Sequence, residues 1–237
     1  RLAVRKLLFD DPRRSPEELR TVLRSNWQND ETLRQYVINR LPRYGQDSPE
    51  ANDTARAEAR FYARCFEGEE TAYGGRFWPM IFGVSTSLLQ GKAPKTGATP
   101  AGRRTGDPIA MSLQPCRTGP QGCMTDVLRA AAVVDFSEFA GGISNVQECD
   151  PAHFRGDAGL RRLQKMIDVF FDLGGMELSL NFVDEETLCD ARRNPERYQH
   201  LMVRLFGLSA RFVDLTPKLQ QSVIDRVRTA EKRENGA

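Results

Sequence analysis

Hydrophobic and polar positions along the chain fall into a succession of helical and strand-like patterns. "RLAVRKLLFDD" (1–11) places Leu2, Leu7 and Leu8 between charges and reads as a helix in the middle of a domain, so an N-terminal part is expected to precede Arg1. Residues 15–66 read as helix in three pieces, broken around "LPRYGQDSP" (41–49). "SPEE" (15–18) offers Ser15 as N-cap, Pro16 in the first turn and Glu18 three positions on, the pattern of a capping box. "NPER" (194–197) and "TPKL" (216–219) repeat the cap-then-proline device. Further on, "TDVLRAAAVVD" (125–135) reads as helix and "ISNVQE" (143–148) as strand. Residues 156–175 show helical spacing at Leu160, Leu163, Ile167 and Phe170 and end in glycines, whereas "MELSLNFV" (176–183) alternates as a strand does. A last helix is expected from about Pro217. Strands alternating with helices give an α/β class.

The stretch 74–122 differs in character. It is dense in Gly, Pro, Ser and Thr and predicts mostly loop, and a loop of that length in a globular protein is usually functional or a packing arm. Its segment "GKAPKTGATPAGRR" (91–104) is basic and glycine-rich, as a phosphate cradle can be, but it lacks the Gly-Lys-Ser/Thr ending of a nucleotide-binding loop.

Composition narrows the function classes. The 237 residues are 40% hydrophobic and 28% charged with a net charge of +2, which suits a globular core and gives no general attraction to nucleic acid or membrane surfaces. The chain has no run of the roughly 18 apolar residues that a membrane helix requires, and no signal-peptide pattern, so a cytoplasmic location is expected. Five scattered cysteines (Cys65, Cys116, Cys123, Cys149, Cys189) suggest reduced thiols. Cys116, Cys123, Cys149 and His153 match no standard zinc spacing, so no metal site is expected. With His153 and His200 the only histidines, a Ser-His-Asp triad has little material. Glu185 and Glu186 suit a helix N-terminus on dipole grounds.

"LMVRLFGLSARFVDL" (201–215) sets a lone glycine, Gly207, inside an apolar stretch between Arg204 and Arg211. In a helix or strand interior that glycine costs about 0.5–1 kcal/mol relative to alanine. Spacing alone makes "NPERYQHLMVRLFG" a helix with Gly207 as its left-handed C-cap.

A wider view changes that reading. Asn181, Glu186-Thr187-Leu188, Asp190-Ala191, Pro195-Glu196, Tyr198, Val203-Arg204, Gly207, Ser209-Ala210 and Phe212, followed by a Gln-containing helix, resemble the C-terminal glycyl radical segment of the glycyl radical enzymes, the pyruvate formate-lyase family. Weaker matches at 31–48, 97–108 and 141–147 extend the resemblance over nearly the whole chain. Departures occur at Leu205, Phe206 and Leu208, where that family usually has valine, a small residue and an aromatic one, and at Ala101, commonly aspartate.

The resemblance implies the C-terminal part of a ten-stranded α/β barrel. Residues 1–175 would be barrel and 176–237 a glycyl radical domain. It implies that a radical-SAM activating enzyme removes a hydrogen atom from the Cα of Gly207, and that no cofactor is bound. The radical is planar and delocalised over both flanking amides, which a Cβ would crowd, and Phe206, Leu208 and Phe212 would shield it. Ser209 and Arg211 are candidates for holding the loop. The family's thiyl cysteine lies in a Gly-Cys-x-Glu-like motif; "GCMT" (122–125) has Thr125 in place of the glutamate, so the catalytic cysteine is expected upstream of Arg1 rather than at Cys123.

The implied activity is homolytic cleavage of a C–C or C–heteroatom bond in a small substrate, of lyase, dehydratase or decarboxylase type, or formate C-acetyltransferase proper, in a homodimer. A fumarate-adding radical synthase is an alternative. So are a stand-alone glycyl radical subunit and a non-catalytic α/β binding module.

Overall fold

The computed structural model of the protein describes residues 1–81, 95–205 and 208–235. The N-terminal third is helical: α1 (Leu2–Arg5) continues as a π-helical turn (Lys6–Asp10), followed by α2 (Pro16–Arg24), α3 (Glu31–Arg40) and α4 (Pro49–Arg64). The expected capping box is present at α2, with Glu18 N–H donating to Ser15 Oγ at 3.3 Å and Ser15 N–H to Glu18 Oε2 at 2.7 Å. Leu7, Leu19, Val22, Trp27, Leu33, Val37 and Leu41 bury together as one apolar cluster.

The long loop holds no α-helix or strand among its described residues, apart from single bridges at Arg76 and Ile81. Its carbonyls are satisfied by arginines instead of by ladders. Arg34 Nε donates to Gly102 O at 2.8 Å, and Arg43 donates to Ala101 O and Thr118 O at 3.2 and 2.5 Å. The buried Arg103 donates to Thr96 O, Gly97 O and Asp107 O. Gly102 is at φ +89°, and a Cβ there would lie 2.6 Å from Ile38 Cγ1. The basic residue at 103 is therefore spent on the loop's own backbone. Residues 91–94 of the glycine-rich stretch lie outside the described residues.

The rest is α/β. After α5 (Met124–Ala132) comes β1 (Val146–Cys149), then α6 (Gly156–Asp172) and β2 (Ser179–Phe182). β1 and β2 are parallel, in register Val146↔Ser179, Gln147↔Leu180, Glu148↔Asn181 and Cys149↔Phe182. Parallel neighbours need such a crossover, here the helix α6. Phe136, Phe139, Phe154 and Phe170 form the aromatic heart of a second cluster, with Met124, Leu128 and Ile143.

The helical spacing at 156–175 is right in kind but not in its buried face. Phe170 is fully buried, whereas Leu160 is 58% exposed. Residue 160 follows Gly159, and it is Gly159 that lies against the chain: a Cβ there would sit 2.3 Å from the Phe154 carbonyl carbon. Close backbone contact in that turn leaves Leu160 outside.

Candidate functional site

The chain after β2 forms α7 (Glu185–Arg193), a 3-10 turn (Pro195–Tyr198), β3 (Met202–Arg204), β4 (Ser209–Arg211), a second 3-10 turn (Phe212–Asp214) and α8 (Pro217–Asn235). The helix read from spacing over 194–206 is thus corrected to a short turn and a strand. Burial alternates along the segment, with Val203 and Leu205 buried and Met202 exposed. That period of two belongs to a strand. Asn194 makes no side-chain cap to the turn, and its Nδ2 donates to Asp190 Oδ1 at 2.8 Å. Tyr198 donates to the other oxygen of Asp190 at 2.7 Å. These two hydrogen bonds hold the Asp190 carboxyl below its ordinary pKa, and the same contact with Asp190 raises that of the Tyr198 phenol.

β3 and β4 pair antiparallel, in register Met202↔Arg211, Val203↔Ala210 and Arg204↔Ser209. Leu205 N–H donates to Leu208 O at 2.9 Å, and Phe212 N–H to Leu201 O at 2.8 Å. Gly207, the predicted radical residue, lies with Phe206 outside the described residues, between these two strands. Phe212 is fully buried with Val183, Leu188, Val203, Leu205, Val223, Ile224 and Val227. Leu208, expected to shield the glycine, is instead 70% exposed. It stands just before β4 and is not part of that cluster.

Leu201 and Leu205 bond to the β4 side, so the backbone groups of Arg204 face away from β4. They meet Asn181 on β2. Arg204 N–H donates to Asn181 Oδ1 at 2.7 Å, and Asn181 Nδ2 donates to Arg204 O at 2.9 Å. Asn181 supplies from its side chain what a neighbouring strand would supply from its backbone. Its register partner Glu148 pairs with Arg226 of α8 at 3.1 Å, both side chains being almost wholly buried. Arg226 also donates to Arg204 O and Leu205 O, each at 3.3 Å. Nearby, burial and the charge of Arg226 push Arg117 down to about 10, which leaves it cationic at neutral pH.

Other predicted residues take more ordinary places. Ser209 Oγ accepts from Arg204 at 3.2 Å, and Arg211 pairs with Asp214 at 2.7 Å. Gln220, itself buried on α8, donates to Phe212 O at 3.1 Å. Glu185 and Glu186 open α7, and Glu185 pairs with Arg228 of α8 at 2.6 Å. Cys123 is the N-cap residue of α5, with Sγ 2.9 Å from Thr125 Oγ1. Cys116, Cys123, Cys149 and His153 form no group that could hold a metal ion among the described residues. Likewise, no helix among those residues is long and apolar enough to cross a membrane. Sequence reasoning missed Glu148 and Arg226. The available signal was a lone arginine among Val223, Ile224, Val227 and Ala230 on the apolar side of α8.

Comparison with known proteins agrees with this geometry. Residues 2–91 match the family described as pyruvate formate lyase-like, and residues 114–213 match the one described as glycine radical. The chain is 26% identical over 224 residues to trans-4-hydroxy-L-proline dehydratase of Clostridioides difficile, covering 94% of this chain and 28% of that enzyme. It is 29% identical over 200 residues to formate acetyltransferase 1 of Escherichia coli, covering 81% and 26% respectively. Among solved structures, the glycerol-bound B12-independent glycerol dehydratase of Clostridium butyricum superposes with a TM-score of 0.84 at 31% identity, over 95% of this chain and 28% of that one. The chain therefore spans about a quarter of the length of the enzymes it matches. From a pyruvate formate lyase-like segment, a glycine radical segment and the fold they share with these enzymes, the chain belongs to the glycyl radical enzymes of the pyruvate formate-lyase type.

Proposed function

We propose that Gly207 is the radical-storing residue of a glycyl radical enzyme, and that residues 176–237 act as its glycyl radical unit beside a barrel portion at 1–175. The observation that carries this is the anchored strand pair: the chain leading into Gly207, at Arg204 and Leu205, is tied to the β1–β2 pair through Asn181 and Arg226, and β4 is held by its pairing with β3. The apolar cluster joining Val183 to Val227 supports treating that unit as one body. By this reading β1 and β2 are two neighbouring strands of a ten-stranded barrel.

A radical-SAM activating enzyme removes one hydrogen atom from the Gly207 Cα, leaving a carbon radical spread over its two amides. Glycine is required because a Cβ would crowd that planar centre. No residue here matches the Gly-Cys-x-Glu motif, so this chain's own part is storage, and a thiyl cysteine supplied with the rest of the enzyme attacks the substrate. Both the hydroxyproline and the glycerol enzymes are dehydratases by name, which favours C–O cleavage in a small hydroxylated substrate over pyruvate cleavage. The assembled enzyme is expected to be a homodimer.

The test is electron paramagnetic resonance after anaerobic activation. A doublet is expected, because one α-hydrogen remains on the radical carbon, and Gly207→Ala should abolish it. A silent spectrum from the activated protein, or a doublet surviving in the variant, overturns the proposal. A helix cap is the competing role for Gly207, and the strand at Met202–Arg204 speaks against it.

A further inference from the structure

We infer that Arg226, Glu148 and Asn181 are positioning residues that clamp the hairpin and so govern how long a radical at Gly207 persists; this rests on the storage role proposed above. Arg226 comes from α8, Glu148 from β1 and Asn181 from β2, and all three are at least nine-tenths buried. Asn181 and Arg226 converge on Arg204 and Leu205, the last described residues before Gly207, and Glu148 stands behind Arg226.

A simpler role would be to staple α8 to the sheet. The geometry asks more of these residues. Arg226 Nε lies 3.1 Å from Glu148 Oε1, while its two terminal nitrogens reach the carbonyls of Arg204 and Leu205. A buried ion pair is a poor way to gain stability, since apolar residues of similar volume serve as well or better. A guanidinium can, however, fix two successive carbonyls while its charge is balanced from behind. Glu148 and Asn181 are register partners on adjacent strands, so the ion pair and the amide clamp share one rigid base.

β3 has three residues and is paired on its other side only by β4, also of three. So short a ribbon is marginal by itself. Without the clamp, the hairpin would keep its fold but lose its fixed distance from the sheet. Nothing else among the described contacts of Arg204 ties its backbone to β1 or β2. The strand that leads into Gly207 would then be free to shift, and a radical stored at that residue would decay faster.

Two measurements on the full protein test this. In the unactivated protein, Arg226→Gln should speed hydrogen exchange at the Arg204 and Leu205 amides by about tenfold or more, the effect of losing charge-assisted hydrogen bonds. Amides of α3 should keep their protection. In activated protein held anaerobically, the doublet should decay about tenfold faster in Arg226→Gln than in the parent, at a temperature where both are folded by circular dichroism. Arg226→Lys should fall between them. If Arg226→Gln fails to fold, Glu148→Gln keeps the guanidinium on its carbonyls without the balancing charge, and should still shorten the lifetime. Unchanged exchange and unchanged decay in a folded variant overturn the clamp. A parent protein without any doublet overturns the storage role instead, and the exchange measurement still decides whether the clamp exists.

Discussion

Truncating Asn181 to alanine removes the side chain that stands in for a strand. The Arg204 amide then loses its only described acceptor, at 2.7 Å. The Arg204 carbonyl loses a donor at 2.9 Å but keeps Arg226 at 3.3 Å. The two halves therefore differ in cost. An orphaned buried N–H costs about 1–3 kcal/mol, and a hydrogen bond lost where another donor remains costs about 1 kcal/mol. Their sum predicts a loss of about 2–4 kcal/mol in denaturant unfolding, with faster exchange at the Arg204 amide. Asn181→Asp separates the contributions. Its carboxylate can still accept from the Arg204 amide but lies beside its register partner Glu148, so it should destabilise at neutral pH and recover as the pH falls. A loss below about 0.5 kcal/mol for Asn181→Ala, or unchanged exchange at Arg204, would refute the reasoning.

Three further outcomes are expected. Phe212→Ala empties the centre of the cluster under the hairpin, where Phe212 has no exposure, and should cost about 3–5 kcal/mol by thermal or denaturant unfolding. Gly122→Ala should destabilise the turn before α5, since its Cβ would meet the Gly45 carbonyl oxygen at 2.2 Å; normal stability in a denaturant titration would contradict that contact. Asp190 has a folded pKa below its unfolded one, so its contribution is complete above about pH 4 and is lost as the pH falls through the folded value. Asp190→Asn should flatten the acid limb of a stability-against-pH curve at that end, and an unchanged limb would count against the Tyr198 and Asn194 contacts.

Local signals in the sequence carried much of this fold. The Ser15–Glu18 capping box needs only four residues in a row, and it forms as read. The helices of the first third and the strand at 179–182 likewise follow from spacing. What spacing could not decide was the apolar run Leu201–Leu205, which suits a helix or a strand until its partners are known. The outcome turned on non-local contacts: Asn181 and β4 took the two edges of β3. Leu160 shows the same limit, because the turn around it approaches the Phe154 backbone so closely that only glycine fits at 159. Asn181 was visible through the family resemblance. For Glu148 and Arg226 the one trace was the lone arginine on the apolar side of α8, which does not reveal its partner, because an ion pair between residues far apart in the chain is not periodic.

The measurement that bears most directly on the central claim is the spectrum of activated protein built with glycine deuterated at Cα. If the unpaired electron sits on the Cα of a glycine, the doublet of the protonated protein should collapse toward a single line, and Gly207→Ala should show neither signal. A doublet that survives the deuteration, or any glycyl signal in Gly207→Ala, would contradict the assignment of Gly207 as the residue that stores the radical.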